Sequence, residues 1–190
     1  RLVLKYFVPL KKRLYERRLK RLGVKQVYYY NMVKYPKGNP KMKVKGEEFW
    51  ANIQKMFAEL SPETDEFCRF MLENELFDTE TRKGKSPGTY ATKITKYGMP
   101  FILDNFSGTT RGLKGFVHEM GHAFQYYQTH KAGIRQVEYA NPQSDVAEIH
   151  AIGMELFAWN GYSLFLKEDT TKFQFDKISF QKALLLPDFQ

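Results

Sequence analysis

Residues 118–127 read HEMGHAFQYY. Two histidines four positions apart lie one above the other on a single face of an α-helix. Imidazole nitrogens converging in this way suit zinc, which takes histidine nitrogen at about 2.0–2.1 Å in a tetrahedral set. The glutamate between them, Glu119, is turned roughly 100° around the helix from His118. It therefore stands beside the metal without binding it, placed to take a proton from a water the metal activates. Gly121 and Ala123 keep the adjoining helix surface small, so that a second segment can approach closely. A pattern this short also occurs on exposed helices that hold no metal, so the reading turns on a third ligand.

A catalytic zinc site commonly takes three protein ligands and leaves a fourth position to water. Glu148, in NPQSDVAEIHAIGMEL (141–156), is the best candidate. Asn141-Pro142 opens a new helix, and Glu148 lies 26 positions beyond His122, enough chain for one helix to finish, turn and return as a second. Asp145 and Glu155 share a face with Glu148, three and seven positions away. Either is a candidate to orient a histidine, and Asp145 is the alternative third ligand. All four histidines of the chain fall between His118 and His150. His130 reads as a surface residue, and His150 as a core histidine in preference to a substrate contact. A closed structural zinc site is disfavoured, because such sites usually take four Cys or His ligands and no cysteine lies nearby.

The rest of the chain sets bounds on this reading. Its 190 residues suit one domain or a piece of a larger one, and 12 Tyr with 16 Phe call for a packed core. One cysteine, Cys68 in DEFCRFM (65–71), excludes an internal disulfide framework and suits a reducing, cytoplasmic compartment. It reads as a small buried hydrophobe and not a nucleophile. With no run of 18 apolar residues, no membrane-spanning helix and no membrane partner are expected.

The net charge of +9 is concentrated at one end. Residues 1–45 hold 15 of the 30 Lys and Arg against one acid, Glu16. One reading is a nucleic-acid-binding module through residues 1–45, with KKRLYERRLKR (11–21) tracking phosphates and Tyr28, Tyr29 and Tyr30 interleaved. The other, which is favoured, is a solvated helix face.

Periodicity and punctuation predict mostly helix with one small sheet. A helix runs from near Pro9 to Gly23, and VKQVYYYNMV (24–33) is β-prone. A second helix starts near Glu47, with Phe49, Ile53, Met56, Phe57 and Leu60 at helical spacing. Ser61 with Pro62 marks the start of a third, carrying Phe67, Phe70, Met71 and Leu76 and ending around Phe77-Asp78. Two short strands follow, roughly 89–95 and 100–106. Then come helices near 112–130 and 142–166 and a short one over 175–186.

Several of these stretches together carry a family resemblance. LSPETDEFCRFMLENELFDTETRKGKSPGTYAT (60–92), MPFILDNFSGTT (99–110), the HEMGH motif and VAEIHAIGMEL (146–156) resemble the M3 family of zinc metallopeptidases, in its oligoendopeptidase F branch. VPLKKRLYERRLKRLG (8–23) matches in style a helix that precedes these, so the similarity covers nearly the whole chain. It implies a mainly α, zincin-like core with a small β-sheet, the HExxH helix packed against the third-ligand helix. It makes His118, His122 and Glu148 the ligands of one zinc ion and Glu119 the general base. It also implies that Gly88, Thr89 and Tyr90 border the cleft, where an oligopeptide substrate adds as an extra strand.

Two departures qualify what is carried over. In TRGLKGFV (110–117) the family usually has an acidic residue, so support of the zinc helix is expected to differ. Family members are also much longer, with their transition-state-stabilising Tyr and His beyond the third-ligand helix. The chain is therefore expected to be a single partial catalytic domain, 1–190. Within it, 1–45 is a basic helix and strand, 46–110 helices and cleft strands, 111–166 the zinc helices, and 167–190 a C-terminal segment. It is expected to be weakly active alone and to have the rest of a longer peptidase as a partner.

Overall fold

The computed structural model describes residues 1–24 and 42–166. The chain divides into two compact units, Arg1–Pro40 with Asp169–Gln190, and Lys41–Glu168. In the first unit, a π-helical turn at Val3–Phe7 leads into α1 (Val8–Leu22). Pro9 sits in the first turn of α1, directly after the π-helical residues. Gly23 ends α1 with a left-handed backbone, φ +66°. The expected strand over 24–33, all but its first residue, and the expected helix over 175–186 lie outside the described residues.

The second unit holds every candidate site residue. α2 (Glu47–Ala58) buries Phe49, Ile53, Met56 and Phe57, the stripe its sequence spacing predicts. α3 (Pro62–Glu73) starts at a reciprocal cap: Ser61 Oγ accepts the Thr64 N–H, and Thr64 Oγ1 accepts the Ser61 N–H. The sequence carries this helix on to Phe77-Asp78; the structure ends it at Glu73. Glu75 takes φ +52°, and the Leu76 N–H reaches back to the Met71 carbonyl, a left-handed stop without the usual glycine.

That early stop frees Phe77–Asp78 to form β1, the first strand of a three-stranded sheet ordered β1-β3-β2. β2 (Tyr90–Ile94) and β3 (Met99–Leu103) form an antiparallel hairpin, and β1 lies parallel to β3. The loop before β2 is pinned by Lys85. Its ammonium donates to Asp78 Oδ1 and to the carbonyls of Asp78, Glu80 and Asp104, all within 2.7–2.9 Å.

Two helices complete the unit. α4 (Thr110–Lys131) is capped by Thr109, whose side chain accepts the Gly112 N–H at 3.1 Å. After a single-turn helix, α5 (Val137–Ala140), comes α6 (Ser144–Phe157) and a 3₁₀ turn over Ala158–Leu164. The expected helix over 142–166 is thus shorter and changes pitch at Ala158. α4 buries Leu113, Phe116, Val117, Met120 and Ala123, and Phe116 joins an aromatic cluster with Phe49, Trp50 and Phe77. The unit's described ends meet: the Lys43 N–H donates to the Phe165 carbonyl at 2.9 Å. No described helix is long and apolar enough to cross a membrane.

Candidate active site

The site forms where α4 and α6 cross. A Cβ on Gly121 would lie 2.6 Å from the Ala151 Cα and 2.8 Å from the His150 carbonyl oxygen. Only a glycine there lets the two backbones approach so closely. The contact sets α6 against the histidine face of α4, as the HExxH-against-third-ligand packing expects.

His118, His122 and Glu148 converge, with one ligand atom from each lying within 4.8 Å of the others. His118 Nε2 stands 3.4 Å from Glu148 Oε2, and His122 Nε2 stands 3.7 Å from Glu148 Oε1. The two imidazole planes are 85° apart with centroids 4.9 Å apart. Tetrahedral ligands with bonds of about 2.0–2.1 Å stand about 3.3 Å from one another, a spacing that the two His–Glu148 distances approach, so the three groups fit a small divalent metal. Two imidazoles and a carboxylate form a donor set suited to such an ion. The Glu148 side chain is 49% exposed, which leaves the outer side of the cluster open.

Glu119 stands beside the cluster, turned about 100° round the helix from His118. It is 8% exposed, and its Oε2 accepts the backbone N–H of Ala91 in β2 at 2.8 Å. Burial pushes its carboxyl above the usual range, and the charge on His118 and the Ala91 hydrogen bond only partly offset this. The Ala91 amide is available because of strand register. Ala91 faces Ile102, whose own N–H turns away to the Leu76 carbonyl, so this pair exchanges no ladder bonds. The outer edge of β2 therefore aims one donor at Glu119.

Charge is distributed unevenly over the two histidines. Burial opposes a charge on His118, but the Glu155 hydrogen bond and the charges of Glu155, Glu119 and Glu148 raise its pKa. Burial, helped by His118, lowers that of His122. Glu155 Oε1 lies 2.8 Å from His118 Nδ1, and its Oε2 lies 2.5 Å from Lys114 Nζ.

The other sequence candidates are placed as follows. Asp145 is exposed at the start of α6, where its Oδ1 accepts the Val146 N–H; it is not brought to the cluster. Gly88 is an exposed turn residue with φ +100°, ahead of the edge strand. The Thr89 hydroxyl donates inward to Asp104 Oδ1 at 2.6 Å, and Tyr90 is exposed on β2. His130 is half-buried, its ring packed against Gly98 in the hairpin turn and in contact with Arg135. His150, read as a core histidine, is exposed because α6 packs inward through Ala151 and Met154.

Sequence reasoning missed three contributors. Lys114 sits four residues before His118 on the same face of α4, but it reaches the site through Glu155 on another helix. The Ala91 amide has no residue-type signature. Asp104, buried at 2% exposure, holds Thr89 and so the entry to β2, but reads in sequence as a loop acid.

Comparison with known proteins agrees with this fold. A model of peptidase family M3 matches residues 37–187. The oligopeptidase PepF of Bacillus subtilis (strain 168) is 32% identical over 143 residues, 75% of this chain and 21% of that protein. The structure of Pz peptidase A with an inhibitor superposes with a TM-score of 0.86 and 43% identity over 96% of this chain and 32% of that one. A protein of Bacillus anthracis str. Ames described as oligoendopeptidase F gives 0.83 and 41% over 93% and 32%. The chain thus spans about a fifth of the curated relative's length and about a third of the solved chains. The motif helix, the third acidic residue and the hairpin all fall inside the matched span, and the chain belongs to peptidase family M3.

Proposed function

We propose that this chain carries the catalytic centre of a zinc-dependent endopeptidase acting on short oligopeptides. The observation that carries the reading is the convergence of His118, His122 and Glu148 beside a buried Glu119 whose Oε2 is held by the Ala91 amide. Zinc bound by the three ligands supplies Lewis acidity, bringing a water towards ionisation near neutral pH and polarising the scissile carbonyl.

The chain's own residues perform the remaining work. The Ala91 N–H fixes one oxygen of Glu119 and leaves Oε1 for the proton. Glu119 accepts that proton from the attacking water and returns it to the departing amine. Its raised pKa suits a base that must also act as an acid. β2 is the edge strand of the sheet, and by alternation the main-chain groups of Ala91 and Lys93 face outward. A peptide laid along this edge, past Gly88, Thr89 and Tyr90, gains main-chain hydrogen bonds and brings its backbone to Glu119. A reducing, cytoplasmic setting belongs to the same proposal and rests on the single, buried thiol of Cys68.

The test pairs metal analysis with cleavage of a quenched fluorescent peptide by wild type and Glu119→Gln. One zinc per chain in both proteins, with turnover lowered about 10²–10⁴-fold in the variant, is expected. Absence of zinc, or equal turnover by the two proteins, would overturn the reading.

A further inference from the structure

Glu155 uses both carboxylate oxygens to bridge two successive turns of α4. Oε1 faces His118 Nδ1 at 2.8 Å, while Oε2 faces Lys114 Nζ at 2.5 Å. Lys114 and His118 are four residues apart, so they rise from the same face of α4, and Glu155 reaches them from α6. Glu155 is 13% exposed and Lys114 only 23%, which separates this pair from the solvated surface pairs that contribute little.

We propose that Lys114 is a positioning residue for the metal centre, acting through Glu155 on His118. A glutamate held by one hydrogen bond can still swing about its side-chain torsions. A second, charge-assisted contact on the opposite oxygen fixes the carboxylate plane. With the plane fixed, the Nδ1–H of His118 has one acceptor in one place. The ring is then locked with Nε2 turned towards Glu148, at the 3.4 Å the structure shows. Groups that orient a metal-binding histidine in this way typically change metal affinity 10–100-fold when removed.

The bridge also explains how TRGLKGFV supports the motif helix: a lysine recruits a carboxylate from α6 instead of an acid on α4 serving directly. Packing places the same demand on both helices. Gly121 brings α6 close enough to α4 for Glu155 to reach, and Lys114 then ties the side chain down one turn from the ligand.

This inference rests on the zinc reading, and its test separates the two. Zinc affinity is measured by competition with a chromophoric chelator for wild type, Lys114→Met, Lys114→Arg and Lys114→Gln, alongside thermal melting of each metal-free protein. Wild type is expected to bind zinc, Lys114→Met about tenfold more weakly, and Lys114→Arg close to wild type. Lys114→Gln, the milder change should the methionine variant not fold, is expected between the two. A folded methionine or glutamine variant with unchanged affinity, including one that only melts earlier, would overturn the positioning role and leave the zinc site standing. A wild-type chain that does not bind zinc would overturn the zinc reading and this role with it.

Discussion

Cys68 shows how one buried group ties stability to pH. It is fully enclosed between α3 and its neighbours, and burial pushes its thiol up to about 12 from an ordinary 9.0. Below pH 9 the thiol is neutral in the folded and unfolded chain alike, and its contribution is constant. Above pH 9 the unfolded thiol ionises while the folded one keeps its proton, so stability falls as pH rises towards about 12. The slope from this group is about 1.4 kcal/mol per pH unit. Urea unfolding between pH 8.5 and 10.5 is expected to show an alkaline decline that is shallower in Cys68→Ala, whatever that variant's overall stability. An identical decline in the two proteins would assign the effect elsewhere. The sequence already made Cys68 a buried hydrophobe from its flanking phenylalanines. It misjudged His150, which is exposed, because which side of α6 packs inward is not a local property.

At the scale of elements, the crossing of α4 and α6 decides whether His118, His122 and Glu148 meet. Gly121 has no room for a methyl group, whose nearest neighbours would be backbone atoms of α6 that cannot yield singly. Gly115, on the same helix, has nothing within 4 Å of an added Cβ. Gly121→Ala is expected to cost about 1–3 kcal/mol and to weaken zinc binding by displacing Glu148. Gly115→Ala is expected to gain about 0.5–1 kcal/mol, because alanine has the higher helix propensity. Chemical denaturation of both variants checks this; a neutral Gly121→Ala would mean that the helices do not approach as described. The sequence made this contact legible in outline, since small residues beside a motif face invite a neighbour. The end of α3 was less legible. Its stop relies on Glu75 in a left-handed conformation, which side-chain identity disfavours and tertiary packing of Leu76 compensates. A sequence pattern that carries apolar residues through to Phe77 has no means of registering that.

For the molecule as a whole, a small sheet edge and two crossed helices bring His118, His122, Glu148 and Glu119 together beside β2 within Lys41–Glu168. The motif, the placement of Glu148 beside it and the hairpin strands were readable because each is written in residue types at fixed spacing. The Ala91 amide and the Lys114–Glu155 bridge were not, because they arise only when segments distant in sequence pack together. The central claim is that His118, His122 and Glu148 hold one zinc ion. X-ray absorption at the zinc edge of the loaded chain tests it most directly. The account predicts a first shell of nitrogen and oxygen at about 2.0–2.2 Å, with the outer-shell scattering of two imidazoles. That imidazole scattering is expected to fall to one ring in His122→Ala. A wild-type shell without two imidazoles, or one unchanged by His122→Ala, would contradict it.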